Sequence, residues 1–176
     1  MAATYYASVR ESAAGANKRH LAVFNASGSG KVLVVYRIVA IGTPTAGVTG
    51  MVIPLAANRI TTAPTGGTTM ALAKACPANI TGGRTATPDP PAQITVHREF
   101  TGGGTVEAVG FGAGVVSGEE TASANESKVY EAPLDGSEFI MCPEGWGFEV
   151  RQLTLASAGS VSIVAVIGLL NPADTL

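Results

Sequence analysis

Glycine and proline punctuate this chain at such short intervals that a long helix has nowhere to form. Breaks fall at Gly42-Thr43-Pro44, Ala63-Pro64-Thr65-Gly66-Gly67, Gly82-Gly83, Pro88-Asp89-Pro90-Pro91, Gly102-Gly103-Gly104, Asp135-Gly136 and Ala158-Gly159. Between them lie β-favouring runs at 20–25, 32–41, 50–56, 68–75, 93–100, 105–116, 128–132, 138–142, 147–156 and 160–170. Such runs read as strands, and no convincing amphipathic helix interrupts them. The pattern predicts an all-β fold: an antiparallel β-sandwich, jelly-roll-like, of about eight to ten strands. At 176 residues the chain suits one domain with a sizeable core. Residues 1–19 lack a sustained apolar period and read as a flexible or extended N-terminal arm, leaving 20–176 as a single β-sandwich domain.

The faces of individual strands refine the expectation. In Ser160–Ile167 one face is wholly apolar while the other passes from serine to valine. Residues 32–41 are apolar on both faces apart from Arg37, so one face is expected in the core and the other against a loop, the arm or another subunit, with another subunit the expected occupant. Along 147–155 the apolar positions shift from even to odd near 151–152, which predicts a β-bulge there. Residues 76–92 hold four prolines and form a long connection, expected to lie extended over a neighbour or to be an ordinary surface loop.

Composition limits the partners. Only 14 % of residues are charged against 46 % apolar, and the net charge is −2. The charge is divided unevenly: residues 1–88 carry eight Lys/Arg against Glu11 alone, and 89–176 carry three against twelve acids. Either opposite faces attract neighbouring copies, or strands from the two halves interleave and mix the charges; the second reading is favoured, because sandwiches pair strands distant in sequence. The cations are scattered singly without an aromatic-rich cluster, so no nucleic acid is expected as a partner. Met1–Tyr6 lacks a secretory signal, and the longest apolar stretches are about half a membrane span, so the expectation is a soluble protein made in a cytoplasm, with no membrane partner.

Candidate chemistry is sparse. Asn25-Ala26-Ser27-Gly28-Ser29-Gly30-Lys31 has the Gly-Lys of a phosphate loop but lacks its first glycine, and Val32 stands where Ser or Thr is needed. A strand follows rather than a helix, so the stretch reads as a turn. With His20 and His97 as the two histidines, a Ser-His-Asp relay has few possible members, and no serine sits in a Gly-x-Ser-x-Gly elbow. Glu107, Glu131, Glu138 and Glu144 are the acids from which a glycosidase pair could be drawn, yet aromatic residues are few. Cys76 and Cys142 read as buried free thiols, with a disulfide as the alternative, and zinc has little support. The expectation is no enzymatic activity, no cofactor and no metal. Trp146, in Cys142-Pro143-Glu144-Gly145-Trp146-Gly147-Phe148, is expected to cap one end of the sandwich, with a sugar-stacking role as the other reading.

Two stretches carry a resemblance. "RHLAVFNASGSGKVLVVYRIVAI" and the later "FIMCPEGWGFEVRQLTLASAGSVSIVAVIGLL", together about a third of the chain, resemble small β-sandwich virion proteins of tailed bacteriophages, among them head-decoration (cement) proteins and fibre, neck and tail components. The early piece is similar to their N-x-x-G-S-G-K/R hairpin, and Pro143-Glu144-Gly145-Trp146 to their P-G-E-G turn. The resemblance implies a non-enzymatic virion structural protein. The expected function is capsid decoration, stabilising the assembled head as a homo-oligomer, dimer or trimer, in contact with the major capsid protein or other virion proteins. The alternative is a receptor- or carbohydrate-binding module of a fibre, tail or neck component. The expected contact residues are Tyr5, Tyr6, Arg10, Lys18 and Arg19 in or beside the arm, Arg37 in the apolar strand, Arg84, Pro88, Pro90 and Pro91 in the long connection, and Trp146.

Overall fold

The computed structural model describes residues 3–43, 50–78, 85–118, 126–133, 139–155 and 158–174. Its strands are β1 (Ala3–Ala13), β2 (Arg19–Asn25), β3 (Val32–Thr43), β4 (Met51–Ile60), β5 (Pro64–Thr65), β6 (Thr68–Met70), β7 (Ala73–Lys74), β8 (Ile94–Arg98), β9 (Gly102–Gly103), β10 (Gly112–Gly118), β11 (Glu126–Glu131), β12 (Ile140–Cys142), β13 (Trp146–Gln152) and β14 (Ser160–Leu170). A single 3-10 turn, Pro172–Asp174, follows. The first sheet runs β11-β3-β14-β1-β7, with β12 continuing along β3 beyond β11; the second runs β10-β4-β13-β2-β8-β6. The pairings are antiparallel, and the two sheets pack face to face as a β-sandwich.

The chain pairs with itself as a folded ribbon. β1 lies beside β14, β2 beside β13, β3 beside β11 and β12, and β4 beside β10. Residues from opposite ends of the sequence therefore share one core. Alternation puts Tyr5, Ala7 and Val9 of β1, Leu33, Val35, Ile38 and Ala40 of β3, and the odd-numbered residues 161–169 of β14 on the inner face. Leu21, Val23, Met51, Ile53, Leu55, Phe148 and Val150 face them from the second sheet. Burial of this apolar area is the main favourable contribution to folding.

Residues 61–78 and 85–111 extend the sandwich on one side. β8 and β6 continue the second sheet beyond β2, β7 continues the first beyond β1, and Leu72 is buried between them. β5 and β9 pair in a small flap. Phe100 and Val106, on the same insertion, form a second apolar cluster with Ala22, Phe24 and Ile60 on the outer side of the second sheet. The opposite side is closed differently: Gly112 and Gly114 let β10 pass close to the backbone of β11, where a Cβ would meet Val129 O or Lys128 O. Both unpaired margins are thus blunted.

Three expectations change. Residues 3–13 are extended but are not an arm; they form β1, an interior strand of the first sheet between β14 and β7. A bulge hides its period, because Arg10 and Glu11 together oppose Ser162 between the Val9↔Ile163 and Ser12↔Val161 pairs. The bulge expected at 151–152 lies on the neighbouring strand: β13 pairs with β4 without a break, and the extra residue is His20, between the Leu21↔Val150 and Arg19↔Arg151 pairs of β2. The even-to-odd shift marks the end of β13, after which Leu153 and Leu155 are exposed. The long connection, where described, folds onto its own chain: Thr87 N donates to Cys76 O (2.7 Å), Tyr5 Oη to Pro88 O (3.0 Å) and Lys74 Nζ to Asp89 (2.9 Å).

Candidate interaction surface

The two stretches singled out in the sequence meet at one end of the sandwich. Gly28 and Gly30 have φ of +87° and +63°, which turns successive N–H groups toward one point. Such a nest suits an anion, and the chain supplies its own: Glu144 accepts from Gly30 N (2.6 Å), Gly28 N (3.1 Å) and Ser29 Oγ (3.4 Å). These backbone bonds hold the Glu144 carboxyl below its usual pKa. Buried Asn25 ties the same turns together, donating to Lys31 O (2.8 Å) and Cys142 O (3.2 Å). Trp146 follows in β13, packed against the main core. The Gly-Lys stretch is a locked turn, and its N–H groups are occupied.

A serine and a histidine do come together, in an arrangement unlike a relay. Ser12 Oγ lies 2.8 Å from His20 Nδ1 and donates to Glu99 Oε1 at 2.9 Å. A hydroxyl has one proton, so His20 carries its own on Nδ1 and donates to Ser12. A nucleophilic relay needs the reverse and an accessible hydroxyl; Ser12 is 2 % exposed and His20 0 %. Burial lowers the His20 pKa to about 4, helped by the charge of Lys18. Lys18 Nζ also donates to Glu99 at 2.8 Å, and this bond leads in lowering the Glu99 pKa, with that from Ser12 second. The cluster joins β1, β2 and the end of β8.

Carboxylates of the second half of the chain neutralise cations of the first. Lys18 meets Glu99, Arg19 meets Glu149, Arg37 meets Glu126 and Glu131, Arg59 meets Glu107, and Lys74 meets Asp89. The uneven charge of the sequence is therefore mixed in space by strand interleaving. Glu149 is the deepest of these acids, fully buried between Arg19 (3.6 Å) and Arg151 (3.9 Å), with neither oxygen hydrogen-bonded. Burial raises its pKa against the pull of both arginines. Arg19 also donates to Gly103 O of the flap and lies over the Phe100 ring, 5.5 Å from its centroid.

Some of the exposed surface is apolar. On the outer face of the first sheet, β14 places Val166 beside Tyr6 and Arg37, and Val164 beside Ser8 and Val39. Tyr6 and Ile41 are each 39 % exposed and Val164 38 %. On the second sheet Val52, Val115 and Leu153 are exposed on the part beyond the flap. A third feature, an open cleft of about 810 Å³, is lined by Phe111, Tyr130 and Phe139 with Arg59, Lys128 and Glu131.

The candidate contact residues divide accordingly. Tyr6 and Arg10 are exposed, and Arg37 borders the apolar face in a pair of ion bridges. Tyr5 is a correction: at 2 % exposure it belongs to the core, because β1 turns it inward. Lys18 and Arg19 are engaged by carboxylates of their own chain. Pro88 is exposed and Pro90 and Pro91 are half-buried in a segment pinned to β1 and β7. Arg84 and Glu138 lie outside the described residues. Cys76 and Cys142 are free and buried, and burial pushes the Cys142 thiol up to about 12. Sequence reasoning missed the roles of Glu99, Glu144 and Glu149, whose partners are 81, 114 and 130 residues away; no local spacing announces such pairs. The chain matches no protein-family profile, no curated protein and no solved structure.

Proposed function

We propose that this protein is a structural component of a tailed-phage virion, a capsid decoration protein that binds the assembled head as a homo-oligomer. The folded-ribbon pairing of β1–β4 with β10–β14 is read here as the winding of a jelly roll. The observation that carries the proposal is the outer face of β3, β14 and β1, where Tyr6, Ile41 and Val164 are exposed and Val39 and Val166 are half-buried beside them, a run of apolar residues open to a partner. A monomer leaves scattered apolar residues at its surface, whereas contiguous ones mark an interface. The occupant of this face is a neighbouring virion subunit.

The test is co-sedimentation with empty phage heads, comparing the natural chain with Val164→Glu. Val164 points outward, so the variant keeps the fold, checked by circular dichroism. Association is expected to weaken at least tenfold (about 1.4 kcal/mol). A natural chain that stays in the supernatant, or a variant that binds equally well, overturns the proposal. The aromatic cleft favours the alternative, a glycan- or receptor-binding module; glycan-array binding in place of head binding moves the reading there.

A further inference from the structure

Counting the charges that the fold neutralises leaves one place unfinished. Of the ten described Lys and Arg residues, seven lie within 4.0 Å of a carboxylate: Lys18, Arg19, Arg37, Arg59, Lys74, Lys128 and Arg151. The other three are Arg10, Lys31 and Arg98. Lys31 donates to Asn171 Oδ1 at 2.6 Å. Arg10 and Arg98 line one cleft of about 510 Å³, together with Ser8, Val9, Thr68 and Glu99, at the seam where β1 of one sheet meets β6 and β8 of the other.

Local backbone geometry builds this cleft. Glu11, in the bulge of β1, and Glu99, just beyond β8, both have φ of +49°, a conformation L-residues adopt at a cost. The bulge takes Arg10 out of the regular ladder, and Arg10 is exposed. Arg98 is held by its Nε donating to Ser8 O (2.5 Å), which leaves the rest of its guanidinium fork free to grip an oxyanion. Glu99 is the one acid in the lining, and its Oε1 is already occupied by Lys18 and Ser12. With Lys18 balancing Glu99, the site keeps the charge of two arginines.

We propose that Arg10 and Arg98 form a docking cleft for acidic side chains of a second copy of this chain, supplied by its acid-rich stretch SGEETASANES, residues 117–127. Its Glu119 and Glu120 are the acids offered, since Glu126 is engaged by Arg37 of its own chain at 3.1 Å, and it begins and ends on β10 and β11. Those strands edge the sheets on the side opposite β1 and β8. Register places them level with the cleft: Ser127 pairs with Ala40, Ala40 with Ile163, and Ile163 with Val9. A donor on one edge and an acceptor on the other, at the same height, make a heterologous contact, the kind that closes into rings. Three strand spacings, roughly 14 Å in all, separate the two within one copy. Gly118 and Glu126, which flank the acidic stretch, thus lie on the far edge from the cleft, and the proposed contact joins two copies.

The inference rests on the assembly reading for its partner, and the experiment separates the two. A synthetic peptide of residues 117–127 is titrated calorimetrically into the full chain at low salt. Binding is expected that weakens with added salt, falls at least tenfold in Arg10→Gln and in Arg98→Gln, and is unchanged in Lys31→Gln. Arg10 is exposed, so its variant is the one that keeps the fold intact. No binding by the peptide, equal binding by its Glu→Gln version, an Arg10→Gln variant that binds normally, or binding of inorganic phosphate but not the peptide overturns the cleft. Sedimentation velocity of the natural chain reads assembly separately: a monomer that still takes the peptide keeps the cleft and removes the assembly reading. An oligomer that ignores the peptide does the opposite.

Discussion

At the scale of single residues, the charged and polar groups that matter are those the fold encloses. His20 shows how one buried imidazole sets a pH dependence. Its pKa is about 4 in the folded chain against an ordinary 6.5, because burial and then Lys18 disfavour the charged ring. The unfolded chain therefore takes up a proton as pH falls through about 6.5 while the folded chain resists until about 4. Stability is expected to drop across that window by up to about 3 kcal/mol from this group. Glu99 acts in the same direction at lower pH: its carboxyl is held below its ordinary value by Lys18 and Ser12, so the stability it lends is lost as pH falls through its folded pKa. Urea denaturation at a series of pH values, for the natural chain and His20→Gln, checks this. The variant is expected to lose stability overall yet show a flatter dependence between pH 6.5 and 4. An unchanged slope would assign the acid sensitivity elsewhere.

At the scale of elements, legibility tracks how local the cause is. The turn at Gly28–Gly30 was readable because a strand follows it and positive φ there demands glycine. β3 and β14 were readable because branched residues fill them without a break, and the doubly apolar reading of β3 holds: its inner residues are core, while Val39 and Ile41 lie outward. β1 was not readable, because the bulge at Arg10–Glu11 breaks the alternation of a strand already rich in small residues. The candidate cleft was hidden for a different reason, since Arg10 and Arg98 belong to different sheets and no sequence spacing joins them. The structure of β1 changes what truncation does. Removing residues 1–13 strips Tyr5, Ala7 and Val9 from the core and leaves β14 with an open edge. Each large buried apolar side chain contributes about 1.5–3 kcal/mol, so the loss consumes much of a domain's ordinary net stability of about 5–15 kcal/mol. The truncated chain is expected to lose its cooperative thermal transition, seen by circular dichroism. A truncation that melts like the natural chain would restore β1 to the status of a detachable arm.

At the scale of the whole molecule, the organising fact is that neither half of the sequence owns a core. Between residues 1–88 and 89–176 run the pairings β1–β14, β2–β13, β3–β14, β4–β13, β4–β10 and β2–β8. The ion pairs from Lys18, Arg19, Arg37, Arg59 and Lys74 cross the same division. Apart from the one to buried Glu149, these are surface pairs each worth about 0.2–1 kcal/mol, so they orient the halves while the shared apolar core supplies the larger share of stability. It follows that the halves fold together or not at all. Expressed separately, each is expected to give the circular dichroism of an unfolded chain. Mixed at equal concentration from denaturant, they are expected to recover the β signal and one cooperative transition, weakened by the lost covalent link. Added salt would shift that transition little, since the apolar area decides it. A half that folds alone, or a reconstituted pair that high salt dissolves, would show that charge rather than the interleaved core joins the two.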